Sequence, residues 1–129
     1  MTAPSASPAP RRPGVAWLAL AIDLVVVAVF VLIGRATHDE DPLLGALTTL
    51  WPFAVALLVG WAATLAWRAP LAVLRTGVPV WAITVAGGML LRLASGQGTA
   101  VAFIVVATLT LALFLIGWRA VAALVIRRR

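Results

Sequence analysis

The chain is 129 residues long and 64% hydrophobic, with only 11% charged residues, against roughly a quarter in an ordinary soluble domain. So short a soluble domain cannot hide that much apolar surface, because its surface-to-volume ratio is too high. Cysteine is absent and all ten basic residues are arginine, which excludes disulfide and thiol chemistry and, with abundant Ala, Val, Leu and Gly, suits a high-GC bacterial genome. The net charge of +6 does not call for nucleic acid as a partner. Its arginines stand at the ends of apolar runs, where they set orientation in a membrane.

Residues 1–14 are rich in Pro, Ala and Ser and show no apolar period, so they read as a disordered cytoplasmic tail. A signal peptide is the rival reading, since Arg11 and Arg12 precede an apolar stretch. The stretch is longer than the usual core of about 7–15 residues, and no clear cleavage site follows it, so a retained helix is expected. A spanning helix needs about 20 mostly apolar residues. Four segments qualify, at about 15–34, 43–67, 79–94 and 99–119, the last with room to continue toward Ile126. Together they form one transmembrane domain over 15–126, followed by a basic end at 127–129. The fold class is all-α, an integral membrane four-helix bundle.

Local chemistry marks the boundaries. Asp41-Pro42 reads as a cap and first-turn proline for the second helix. Pro79 can open the third, Gly96 can end it, and Thr99 can cap the fourth. Pro52 falls inside the second helix, where it should kink the backbone and free a carbonyl that a neighbour must satisfy.

Four spans place both termini and the middle loop on one side. That side holds Arg11, Arg12, Arg68, Arg75, Arg119, Arg127, Arg128 and Arg129, and the other holds Arg35 and Arg92. The richer side is expected to be cytoplasmic, in the plasma membrane of a bacterium, with its arginines drawing anionic lipid head groups. Trp17, Trp67, Trp81 and Trp118 fall near the cytoplasmic helix ends, where indole rings favour the interface. A faint echo links Leu57-Leu58-Val59-Gly60-Trp61 with Phe114-Leu115-Ile116-Gly117-Trp118. Chance in a low-diversity apolar sequence explains it better than duplication.

Helices in lipid associate through small and hydrogen-bonding residues rather than through apolar burial. Each span has such a stripe: Ala16, Ala19 and Asp23; then Gly45, Thr49, Pro52, Ala56, Gly60 and Thr64; then Thr84, Gly88, Arg92 and Ser95; then Thr108, Ala112 and Arg119. These are expected to face inward. Asp23 is the most informative residue. A carboxylate near mid-bilayer costs roughly 2.5–3.5 kcal/mol on insertion scales, so it must be protonated, paired or in water. Arg92 and Arg119 are its candidate partners, and either must extend along the bundle to reach it. Two readings stand side by side, a proton or cation site and a structural pair that fixes helix register.

Outside the membrane, Arg35 and His38 are the outer-face candidates. His38 beside Asp39, Glu40 and Asp41 offers oxygen ligands for a hard cation, but no second ligand cluster exists, so no metal is expected. Neither is a cofactor. One His, no Cys and no nucleophile or phosphate-binding motif leave nothing to support an enzyme.

Several motifs in order carry a family resemblance. They are Asp23, Ile33-Gly34-Arg35-Ala36-Thr37-His38, Trp51-Pro52-Phe53, Gly87-Gly88-Met89-Leu90-Leu91-Arg92, Gly98-Thr99-Ala100 and Gly117-Trp118-Arg119. In these the chain resembles the bacterial and archaeal membrane family called domain of unknown function 3054. The resemblance implies a membrane protein and brings no activity. It also implies that Asp23, Arg35, His38, Pro52, Arg92 and Arg119 are family features. Size, helix count and an acid in the first helix are similar to small multidrug exporters at the level of fold alone. The expected function is a non-enzymatic membrane component or assembly partner. The alternative is a small proton-coupled transporter or ion pathway centred on Asp23, which requires a homo-oligomer because four helices enclose little volume.

Overall fold

The computed structural model describes residues 13–35 and 42–128. Four helices are long and apolar enough to cross a membrane: α1 (Pro13–Arg35), α2 (Pro42–Thr64), α3 (Val73–Ala94) and α4 (Val101–Arg127). No strand occurs among the described residues. The tail up to Arg12, His38, the acidic run Asp39 to Asp41 and Arg129 lie outside the described residues.

The helix ends follow from turn chemistry, with four shifts from the sequence reading. First, α1 begins at Pro13, two residues before the expected start, with proline in a first turn that needs no N–H donor. Second, α2 stops at Thr64 rather than near Trp67, because Leu65 turns left-handed at φ 52° and a short 3-10 turn follows over Ala66–Arg68. The third shift is the largest. Pro79 stands in the first turn of the regular α-helical part, Val78–Ala94, as expected. A π turn over Val73–Gly77 precedes it and lengthens the span to 22 residues. Fourth, α4 starts at Val101 with Ala100, not Thr99, at the cap position, and continues to Arg127. It is interrupted by a second π turn over Ala112–Ile116.

Gly96 ends α3 as expected. It sits at φ +78°, where a side chain would be strained. The Gln97 amide donates to the Arg92 carbonyl at 2.7 Å and the Gly96 amide to that of Leu93 at 3.2 Å, the paired bonds of a Schellman stop.

Helices α2 and α3 pack most closely, through small residues. A Cβ on Gly87 would lie 2.9 Å from the Cβ of Ala56, and one on Gly88 would lie 2.5 Å from the ring of Phe53. Close approach of this kind supplies packing where lipid gives no apolar driving force. Phe53 in turn meets Phe30 of α1 edge-on at 5.4 Å and Phe103 of α4 at 6.1 Å, so one aromatic cluster joins three spans. The inward stripes of α1, α2 and α3 hold at Ala19, Asp23, Thr49, Pro52, Ala56, Gly60, Thr84 and Gly88, all buried. In α4 the buried face is Ala107, Leu111, Leu115 and Arg119, so Thr108 and Ala112 lie beside it.

Pro52 frees a carbonyl as expected, and the structure supplies its partner. The lost bond is the one from residue 52 to the Thr48 carbonyl. Gln97, in the α3–α4 connection, donates its side-chain amide to that oxygen at 3.1 Å. Arg92 holds the Gln97 amide oxygen at 3.0 Å, grips the Gly98 carbonyl through Nε and Nη2, and lies 4.3 Å over the Phe103 ring. Gln97→Ala should therefore cost about 0.6 kcal/mol more in the wild-type chain than in a Pro52→Ala background, where residue 52 regains its donor. Thermal unfolding in detergent micelles measures this, and equal costs in the two backgrounds would break the link between Pro52 and Gln97.

Candidate functional site

Asp23 lies near the middle of α1 with no exposed surface, and so does the Arg119 side chain of α4. The two meet as a two-pronged pair. Arg119 Nη1 donates to Oδ1 at 2.9 Å and Nη2 donates to Oδ2 at 2.7 Å. Two indoles complete the shell. Trp61 of α2 donates from Nε1 to Oδ2 at 2.8 Å, and Trp118 of α4 donates to Oδ1 at 2.8 Å. Both carboxylate oxygens thus accept two hydrogen bonds each. Charge-assisted bonds of this geometry are about twice as strong as neutral ones.

The guanidinium is held as firmly as the carboxylate. Nε donates to the Pro70 carbonyl at 2.8 Å, and Nη1 also reaches the Leu115 carbonyl at 3.0 Å. Pro70 belongs to the α2–α3 connection, which Thr76 braces by donating from Oγ1 to the Ala69 carbonyl at 2.6 Å. Gly77 leaves the room that the arginine stem needs, since a Cβ there would sit 3.1 Å from Arg119 Cδ. The Arg119 guanidinium also lies 4.6 Å from the Trp118 ring centre, close enough for a cation–π contribution.

Both π turns serve this arrangement. Val73–Gly77 brings α3 against the arginine stem, and Ala112–Ile116 contains the Leu115 carbonyl that Arg119 grips. Such turns recur at functional sites because each re-aims the side chains that follow it. One turn further back, the Thr108 carbonyl accepts from Trp81 of α3 at 2.9 Å.

Of the two candidate partners for Asp23, only Arg119 meets it. Arg92 is committed to Gln97, Gly98 and Phe103 at the α3–α4 connection. Arg35 ends α1, and its side chain lies outside the described residues, as does His38. Trp81 and Trp118, expected to anchor the interface, point their N–H groups inward instead. Trp17 and Trp67 fit the interface reading better, at 72% and 45% exposed. Thr84 is buried, and its hydroxyl has no partner among the described residues. Trp61 was not singled out in the sequence, yet a signal was there. The echo between Gly60-Trp61 and Gly117-Trp118 marks the two indoles that share Asp23.

Chemically, the arrangement neutralises a buried acid and leaves neither oxygen free. Removing one member strands a buried charge, which costs about 3–5 kcal/mol, whereas replacing both with apolar side chains is often close to neutral. Asp23→Leu and Arg119→Met should each destabilise by about that amount, and the double variant should regain most of the loss. Unfolding in detergent micelles reads out the cycle, and strictly additive losses would contradict a direct pair.

The family profile described as Protein of unknown function (DUF3054) matches residues 20–122. That stretch contains both members of the ion pair and both indoles. No curated protein and no solved structure matches the chain. On the extent of the profile match, the chain belongs to the family described as Protein of unknown function (DUF3054).

Proposed function

We propose that the chain is a non-enzymatic component of the bacterial plasma membrane, a rigid four-helix unit that serves as an assembly partner for other membrane proteins. The observation that carries this reading is the saturation of Asp23. Its oxygens accept four hydrogen bonds in a site with no exposed surface. A carboxylate that relays protons or cations needs an oxygen that water or an ion can reach, and a partner it can leave. Here a bidentate guanidinium and two indoles hold it in one geometry. The bond set matches a registry device that fixes four spans against one another, a well-attested use of buried polar groups.

The orientation belongs to the same proposal. Arg68, Arg75, Arg119, Arg127 and Arg128 gather toward the end where α2 meets α3 and α4 finishes. The positive-inside bias then puts both termini in the cytoplasm. Reporter fusions at either terminus should be active in the cytoplasm only, and a periplasmic signal from either would reverse the orientation.

The function is tested by proton flux into proteoliposomes under an imposed membrane potential. Wild type and Asp23→Asn should both stay at the level of empty vesicles, and the variant should differ by its lower stability alone. A wild-type flux that vanishes with Asp23→Asn would replace this proposal with a proton pathway through the carboxylate.

A further inference from the structure

The two ends of the bundle differ in charge. Arg68 closes the 3-10 turn after α2, Arg75 lies in the π turn that opens α3, and Arg127 and Arg128 finish α4. The topology gathers these four at one end. The Arg119 bond to the Pro70 carbonyl, together with the close approach of Gly77 to Ile116, ties the α2–α3 connection to α4 beneath them. All four arginines are exposed. Among the described residues the only carboxylate is Asp23, and it is buried and occupied by Arg119. No described acidic side chain is therefore placed to neutralise the patch.

Two exposed indoles accompany the charges. Trp67 directly precedes Arg68, and Trp17 lies in the first turns of α1 at the same end. Indole rings settle at head-group depth, with the apolar body toward the acyl chains and the N–H toward water. They set the depth at which the neighbouring guanidinium groups sit. A guanidinium fork matches the oxygens of a phosphate in two-pronged fashion and is less strongly hydrated than an ammonium.

We propose that this end of the bundle binds anionic phospholipid head groups and selects them over zwitterionic ones. The surface offers several arginines and no described competing carboxylate, so a phosphodiester with a second neutral or anionic group is favoured. A choline-bearing head group brings its own cation into the patch and is disfavoured. Each arginine near a charged bilayer surface contributes on the order of fivefold in affinity. The inference needs no assignment of which side is cytoplasmic and no assembly partner, so it stands or falls apart from the function proposed above.

The test uses the full chain reconstituted in phosphatidylcholine bilayers that contain a fixed fraction of brominated phosphatidylglycerol or brominated phosphatidylcholine. Bromine quenches the tryptophans it contacts, chiefly exposed Trp17, Trp51 and Trp67, and a Trp51→Phe background leaves the two at the arginine-rich end. At equal mole fraction the anionic quencher should act more strongly, corresponding to at least a fivefold local enrichment. The excess should fade as salt is raised. A combined Arg68→Gln, Arg75→Gln, Arg127→Gln, Arg128→Gln variant should bring the two lipids to parity, while the matching four-lysine variant should keep part of the preference. Equal quenching by the two lipids in the wild type would overturn the proposal and leave the patch to a soluble acidic partner. A preference that survives in the glutamine variant, or ignores salt in the wild type, would overturn it equally.

Discussion

A carboxylate placed deep in an apolar bundle must have every lone pair answered, because no water is there to do it. Asp23 imposes that demand and the rest of the site follows from it. Arg119 supplies the countercharge from α4, Trp61 and Trp118 supply two neutral donors, and Pro70 and Leu115 hold the guanidinium in turn. One side chain thereby recruits α1, α2, α4 and the α2–α3 connection, while Gly77 admits α3. The two π turns make sense in the same frame. A regular helix would carry Gly77 and Trp118 to other faces, so the backbone widens once on each side of the arginine.

The end at the α3–α4 connection is organised by a separate demand, one of the backbone. Pro52 withholds an N–H from the Thr48 carbonyl, and the connection between α3 and α4 returns a donor through Gln97. Arg92 locks Gln97 and covers the aromatic cluster of Phe30, Phe53 and Phe103. Between these two polar devices the contacts are small residues and rings. The outward faces carry Leu, Val and Ile, which a lipid solvent accepts without further partners. Apolar packing gives cohesion along the length of the bundle, and two polar devices, one at mid-span around Asp23 and one at the α3–α4 connection, tie the helices to one another.

Much of this was legible in the sequence because each signal is local or periodic. Four apolar runs gave four spans. The small-residue stripes gave the inward faces of α1, α2 and α3, and the isolated acid gave the site. Pro52 implied a freed carbonyl, and Gly96 implied a helix stop. What escaped was long-range or non-repeating. Arg119 and Arg92 were equal candidates for Asp23, since spacing along a chain does not say which helix end lies opposite which. The π turn ahead of α3 was hidden because Pro79 does open the regular helix, and a π turn has no residue signature that marks it in advance. The same irregularity in α4 shifted the inward face from Thr108 and Ala112 to Ala107, Leu111 and Leu115. Trp61 shows in the sequence only through its echo with Trp118, because nothing along the chain reveals that the fold brings Asp23 within reach of its N–H.

The central claim is that the Asp23 site is dry and static. It is tested most directly by hydrogen–deuterium exchange of the indole N–H groups, followed by NMR on the full chain in lipid nanodiscs. The Trp61 and Trp118 indole signals should persist long after transfer to heavy water, well beyond those of Trp17 and Trp67, because their protons are bonded to a carboxylate with no exposed surface. Exchange at Trp61 and Trp118 as fast as at exposed Trp17 and Trp67 would mean that water reaches the carboxylate, and the clamp would have to be reread as an open pathway.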